Sequence, residues 1–541
     1  MTRYLLAAEA DQIQDFIFRA AHLREVVGGS QLLTRLGDRK DGAPMALDVP
    51  DEDLVVSGGG SFRALFDSPE RAIQFGQQLA EVYYRATGGS LTAIAEPEVV
   101  KDEADFARAS QVAQQKLREA KRKRPGRLTT AHLPYVAFCA SCGVGLTSGH
   151  EKRHPKAEQP QYLCDDCLAK GAERTEESLG AFLKPFVQAV VGEQENPYDY
   201  IWPGRDRPGA EREIDPTTDL GRFDPRNYVA YLVADGNNMG KVFDYCDQKQ
   251  MRQLSDAMTV ELRASLAAAT QELRKGQAEV AVDFIPALPL ILGGDDLFAL
   301  LPAPWALDFA RHFCTEFEER MTALVNRKNL SERNKLPRRI TVAAGVVVCK
   351  ANYPFYLAHA VGEERLKAAK QVAKRLAKEP GGRMRSVVDF EIILGSQAGA
   401  RPEQGGYRAT LGPYWLTDDG LPPGWGTTLD ALLEQRWELR NLPGKRRAQL
   451  RALYYPSALR IAEDDPSRWD AQKKALLQRI GRDQDTHAQV KSAFAALGGE
   501  DWYTIERKGD EEWHGHGLPD LLEAWDFAYR LDKPRRDYEE V

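Results

Sequence analysis

Cysteine is scarce. Seven in 541 residues are too few and too scattered for the disulfide framework of a secreted protein. Long apolar runs are missing too. The opening MTRYLLAAEADQIQ holds an apolar segment shorter than a signal-peptide core and meets acidic residues at once. The apolar stretch near residue 290 is broken by Asp283, Pro286 and Pro289, so no membrane span is expected. Positive charge does not dominate: 73 Lys and Arg face 80 Asp and Glu, a net charge of −7. That balance excludes coating of nucleic acid by bulk charge and leaves only local patches for RNA or DNA contact. None of the nine histidines is followed by Asp. The expectation is a cytoplasmic chain of roughly three or four domains.

What is present reads as one pattern written twice. YLLAAEADQIQDFIF near the start and YLVADGNNMGKVF from Tyr231 each run from an apolar strand into a helix. VVSGGGSFRALF (55–66) parallels LILGGDDLFALL (290–301), and an amphipathic helix follows each hairpin, at 68–84 and 303–321. A further apolar segment (91–100 and 340–348) and a Lys-rich helix (106–124 and 356–375) complete each copy. The order predicts a duplicated β-α-β-β-α-β unit of the ferredoxin-like kind. With the copies aligned on their glycines, Gly60 and Ser61 stand where Asp295 and Asp296 stand. The first strands then set Ala8 opposite Asp235, or Glu9 after a one-residue slip.

Asp295 and Asp296 are adjacent like charges at a hairpin tip. A solvated turn is one reading, since Gly and Asp are ordinary hairpin residues; a cation site is the other. The first and third strands are neighbours in this topology, so Asp235 at a strand end can meet the acidic tip. Three such carboxylates suit Mg²⁺ or Mn²⁺, and two ions ~3.5–4 Å apart would support nucleotidyl transfer. Gly236, Asn237, Asn238 and Gly240 open the next helix in a manner suited to a triphosphate, beside Gly293 and Gly294. Lys367 and Lys370 are candidate phosphate contacts, although alone they would read as a solvated face.

The cysteines supply a second motif. CASC (139–142) and CDDC (164–167) form two C-x-x-C knuckles separated by 21 residues. Cys139, Cys142, Cys164 and Cys167 therefore read as a closed structural zinc site, with His150 and His154 as competing ligands. Cys246, Cys314 and Cys349 read as buried small hydrophobes. The basic run 116–127 reads as a solvated helix end or a nucleic-acid contact.

Together these features resemble the palm-containing large subunit of type III CRISPR effector complexes. DQIQDFIF…LREVVGGSQLLTRL (11–36), SGGGSF, ADGNNMGK, GGDD and the segment 340–370 carry the resemblance. It implies an α+β fold: a degenerate first palm (1–133), a zinc-ribbon module with linker (134–215), a catalytic second palm (216–395) and a C-terminal α-helical domain (396–541). It implies cyclic oligoadenylate synthesis from ATP at Asp235, Asp295 and Asp296 with two catalytic ions. A second nucleotide is expected at Gly59, Gly60 and Ser61. It also implies partner subunits with guide RNA and target RNA. Two departures stand out. Members commonly carry an acid where this chain has Asn237, and many begin with an HD nuclease domain, which this sequence leads one not to expect. The rival readings are a stand-alone nucleotide cyclase or oligonucleotide synthetase, and a catalytically inactive scaffold.

Overall fold

The computed structural model describes residues 2–19, 23–123, 137–151, 159–172, 176–195, 200, 216–280, 285–327, 339–378, 383–395, 401–418, 426–480, 484–499, 502–508 and 511–539. His154, the basic run beyond Lys123 and the connector 201–215 lie outside them. No described helix is long and apolar enough to cross a membrane.

The first unit contains β1 (Arg3–Ala10), α1 (Ile13–Phe18), α2 (Leu23–Leu36), β2 (Leu54–Gly58), β3 (Ser61–Phe66), α3 (Pro69–Thr87), β4 (Leu91–Ala93), β5 (Glu98–Val100) and α4 (Phe106–Lys123). Its sheet has the order β2-β3-β1-β4, with β5 also paired to β1, and every pairing is antiparallel. This is the ferredoxin-like palm that the duplicated pattern predicts. The punctuation is local chemistry. Ser68 accepts a hydrogen bond from the Arg71 amide at the start of α3, Pro69 fills its first turn, and Gly88 closes it at φ 62°.

A small module follows, with a β6 (Gly149–Glu151) and β7 (Gln161–Leu163) hairpin and α5 (Asp165–Ala172) starting directly after Cys164. Next comes α6 (Glu176–Val191).

The second palm is built from β8 (Tyr228–Gly236), α7 (Met239–Asp244), α8 (Gln248–Gly276), β9 (Leu288–Gly293), β10 (Asp296–Pro302), α9 (Ala306–Arg327), β11 (Val342–Lys350), α10 (Phe355–Leu376) and β12 (Val387–Ile392). Its sheet order contains β11-β8-β10-β9, the ferredoxin-like order again. β12 is added parallel to β11, and Tyr414–Trp415 from beyond residue 395 pairs with β12. β8 and β11 are buried along almost their whole length, as continuous apolar strands covered on both faces must be. α10 lies very close to the sheet because two glycines leave room. A Cβ on Gly362 would sit 2.6 Å from Val233 Cγ2, and one on Gly345 would sit 2.5 Å from the Gly362 carbonyl oxygen.

Pairing register corrects the alignment of the copies. Glu9 pairs with Ser61. Leu297 pairs with Ala234, so one antiparallel step further Asp296 lies opposite Asp235. Glu9, not Ala8, is the counterpart of Asp235. The slip went unseen because both first strands are apolar enough to slide by one residue in sequence, whereas the ladder fixes which side chains share a face.

The C-terminal part is largely helical, from Leu429–Glu438 to Leu518–Glu523. It also carries a four-stranded sheet formed by Glu403–Gln404, Tyr407–Arg408, Tyr503–Lys508 and Glu511–Gly515. Trp437, Tyr454 and Trp525 pack there as core or against it, while Tyr455 is exposed.

Candidate active site and metal centre

Asp235 ends β8, and Asp295 and Asp296 form the β9–β10 tip. One carboxylate oxygen from each lies within 4.8 Å of the others. β8 and β10 are adjacent, so the ladder delivers the first carboxylate to the tip. Gly236 permits the tight packing of Asp295 over the strand end: a Cβ there would come within 3.1 Å of Asp295 Oδ2 and 2.5 Å of Met239 Cγ. Burial raises Asp295 to about 6. It raises Asp296 to about 7, helped by the charges of Asp295 and Glu363, although the Asp296 tip remains open to solvent. Three oxygen donors this crowded fit a hard divalent cation. Among the described residues, the cation bound to this group is Lys370, whose ammonium pairs with Asp235. Burial, then the neighbouring Lys374, lowers Lys370 to about 8. Lys367 is exposed one turn earlier.

A cavity of about 140 Å³ between the two palms adjoins this cluster. Asp235, Asp296, His359 and Glu363 face it from the second palm, and Ile13, Gln14 and Ile17 of α1 with Ser30, Leu33 and Thr34 of α2 face it from the first. Gln14 Nε2 donates to Glu363 Oε1 at 3.3 Å across the junction. His359 stacks on Phe18 with centroids 3.7 Å apart and meets Phe298 edge-on at 4.9 Å. Burial lowers the imidazole to about 4, so at neutral pH it is an uncharged aromatic wall. The sequence reading missed His359 and Glu363. Their signal was the spacing 359, 363, 367, 370, which lies along one helix face.

The glycine-rich tips differ in kind. Gly59 and Gly60 both have positive φ (56° and 74°), whereas only Gly294 does in the second copy (63°). The first is the type I′ pattern and the second the type II′ pattern. A side chain at Gly60 would be strained and would meet Ile13 Cδ1 at 2.4 Å, while Asp295 occupies an ordinary negative-φ position. Gly59 borders the inter-palm cavity, as does Gly293. The Gly294 amide donates to Thr259 Oγ1 at 3.0 Å and is already used.

Asn237 is tied to Thr341 and Arg385. It is 4 % exposed, its amide nitrogen donates to Thr341 Oγ1 at 3.0 Å and the Arg385 carbonyl at 3.3 Å, and its backbone N–H donates to the Thr341 carbonyl at 2.8 Å. The first palm repeats this device. The Asp11 backbone N–H donates to the Ser90 carbonyl at 2.8 Å, and the Asp11 carboxylate accepts from Ser90 and Thr92 hydroxyls. The position anchors a strand end in both copies. Asn238, like Gln12, starts its short helix in the left-handed region. Gly240 faces Arg118 of α4, 3.9 Å from the position a Cβ would take. Lys121 of α4 pairs with Glu9 at 3.0 Å, the counterpart of Lys370 with Asp235.

The four knuckle cysteines form the second centre. One Sγ from each lies within 4.8 Å of the others, with Cys142 and Cys164 at 3.7 Å. Hydrogen bonds from Cys164 and Cys167 hold Cys142 low, and the same contacts with burial push Cys164 up to about 12 and Cys167 higher. The quartet resists full deprotonation without a cation. Four converging sulfurs fit tetrahedral zinc. His150 lies on β6, outside the quartet.

Residues 228–377 match the family model Cas10/Cmr2, second palm domain. No curated protein matches the chain. Among solved structures, a Csm1-Csm4 cassette in complex with cA4 aligns over 86 % of this chain and 63 % of that one, at 15 % identity and TM-score 0.50. Csm1 from T. onnurineus aligns over 98 % and 70 %, at 16 % identity and TM-score 0.50. Identities this low establish fold, and the chain spans less than two thirds of the first structure's length. Residues 228–377 thus carry a Cas10/Cmr2-type second palm domain, within a chain that shares the fold of Csm1.

Proposed function

We propose that this chain is a nucleotidyltransferase that joins ATP into cyclic oligoadenylates, each step a 3′-hydroxyl attack on an α-phosphate with pyrophosphate leaving. The observation that carries the reading is the convergence of Asp235, Asp295 and Asp296 at the edge of a cavity walled by both palms. Mg²⁺ or Mn²⁺ held by these carboxylates would lower the charge barrier to attack and departure. Lys370 and the exposed Lys367 meet the phosphates, and α1, α2 and Gly59 to Ser61 line the ground for the second nucleotide. The 140 Å³ space is smaller than the ~300–1,000 Å³ of ordinary ligand pockets. A nucleotide therefore extends from it over the open ground before Asp296. The solved Csm1-Csm4 cassette in complex with cA4 supports cyclic oligoadenylate as product, and the sequence motifs favour a type III CRISPR assembly with guide and target RNA as setting.

The test is incubation with each labelled nucleoside triphosphate and Mg²⁺ or Mn²⁺, with and without guide and target RNA, followed by mass analysis. Cyclic oligomers from ATP are expected. No product from any nucleotide in the assembled RNA complex would leave the scaffold reading in its place.

A further inference from the structure

Lys170 lies on α5, one turn beyond Cys167, and is 1 % exposed. Lysine is almost never fully buried without a partner, because its ammonium loses hydration. Its ammonium donates to the carbonyl of Phe16 in α1 and lies 4.3 Å from the centre of the Phe16 ring. Its stem runs past Gly29 of α2, where a Cβ would be 3.4 Å from Lys170 Cε. Cys142, Asp166 and Cys167 line one small cleft with Lys170, together with Asp11 and Asp15. A divalent ion in four thiolates leaves two net negative charges, and Lys170 is placed to offset one of them. A second tie runs nearby: Ser141, inside the first knuckle, donates to Glu25 of α2 at 2.5 Å, and Glu25 is fully buried.

These ties grip α1 and α2 from behind, while Ile13, Gln14, Ile17, Ser30, Leu33 and Thr34 on the same helices face the inter-palm cavity. α1 has only six residues and starts from a left-handed Gln12, and a helix that short does not persist without outside support.

We propose that Lys170 is a positioning residue that fastens the first-palm wall of the inter-palm cavity to the cysteine metal centre, so that the loaded ribbon sets the shape of the nucleotide pocket. The kinetic consequence rests on the nucleotidyltransferase reading; the structural one does not.

The test uses the full chain with its metal content measured. Lys170→Met keeps the stem and removes the ammonium, and Lys170→Arg restores charge and donors. Lys170→Met is expected to keep its zinc while amide exchange over residues 13–18 speeds up about tenfold or more, the scale of a lost charged hydrogen bond. The KM for ATP should rise about fivefold or more with kcat within about twofold, since binding and not chemistry is disturbed. Lys170→Arg should recover both. If Lys170→Met does not fold, Ser141→Ala carries the same exchange test over residues 25–36. Unchanged exchange in a zinc-retaining Lys170→Met protein overturns the proposal. That readout holds even if the wild-type chain turns over no nucleotide, so it separates this inference from the functional one.

Discussion

Asp295→Ala combined with Asp296→Ala is expected to give a chain that is more stable without metal and releases no pyrophosphate from ATP. The stability half follows from the pKa shifts. Both carboxylates lie above their ordinary value, at about 6 and about 7, so the folded state binds these protons more tightly than the unfolded state. Such groups favour folding below the unfolded value and disfavour it progressively as pH rises through the folded values. At pH 8 the metal-free fold bears two crowded charges, and removing them should raise Tm, with the larger share from Asp295 because water screens the exposed Asp296. At pH 4 the gain should almost vanish. Asp295 has an ordinary φ at its turn position, so alanine fits there without strain. The activity half is the loss of two of three oxygen donors, which should lower pyrophosphate release by about 10³-fold or more, the scale of removing a principal charge-stabilising group. Calorimetry at the two pH values and a pyrophosphate assay check each half separately. Pyrophosphate release at the wild-type rate would sink the catalytic assignment.

Cys139→Ser with Cys142→Ser should lower zinc from about one per chain to none and unfold the module around residues 137–172 while both palms remain folded. The buried core of this module is Cys139, Leu163, Cys164 and Cys167, with Cys142 and Leu168 partly buried against it. The metal site is thus the core, and little apolar surface is left when the ion goes. Metal analysis and limited proteolysis read the two effects. Full zinc retention by the double variant, with no new cleavage in the module, would contradict the ribbon.

The palms were legible because their signals are periodic and repeated: two hairpins, two amphipathic helices and two Lys-rich helices in one order. The two donor clusters were legible because their carboxylates and thiols fall at a turn and at paired knuckles. What escaped depends on contacts that sequence does not print. The Glu9 register needed the β1–β3 ladder. The difference between the tips lies in the φ of one residue, Gly60 against Asp295. The hydrogen bonds of Asn237 to Thr341 and the Arg385 carbonyl join residues more than a hundred positions apart. Lys170 reads as an ordinary helix lysine until its burial is known. The small C-terminal sheet includes two-residue strands, too short to leave a period-two pattern.

On the nucleotidyltransferase reading, the three aspartates hold divalent cations. A Mn²⁺ titration followed by electron paramagnetic resonance, on zinc-loaded full chain at pH 7.5 and pH 5.5, tests it most directly. The wild-type chain is expected to bind Mn²⁺ at pH 7.5 and to bind it several-fold more weakly at pH 5.5, because Asp295 and Asp296 must shed protons near 6 and 7 before the ion can enter. The Asp295→Ala, Asp296→Ala chain is expected to lose that binding. Equal Mn²⁺ affinity in the two proteins at pH 7.5 would mean that Asp295 and Asp296 hold no divalent cation.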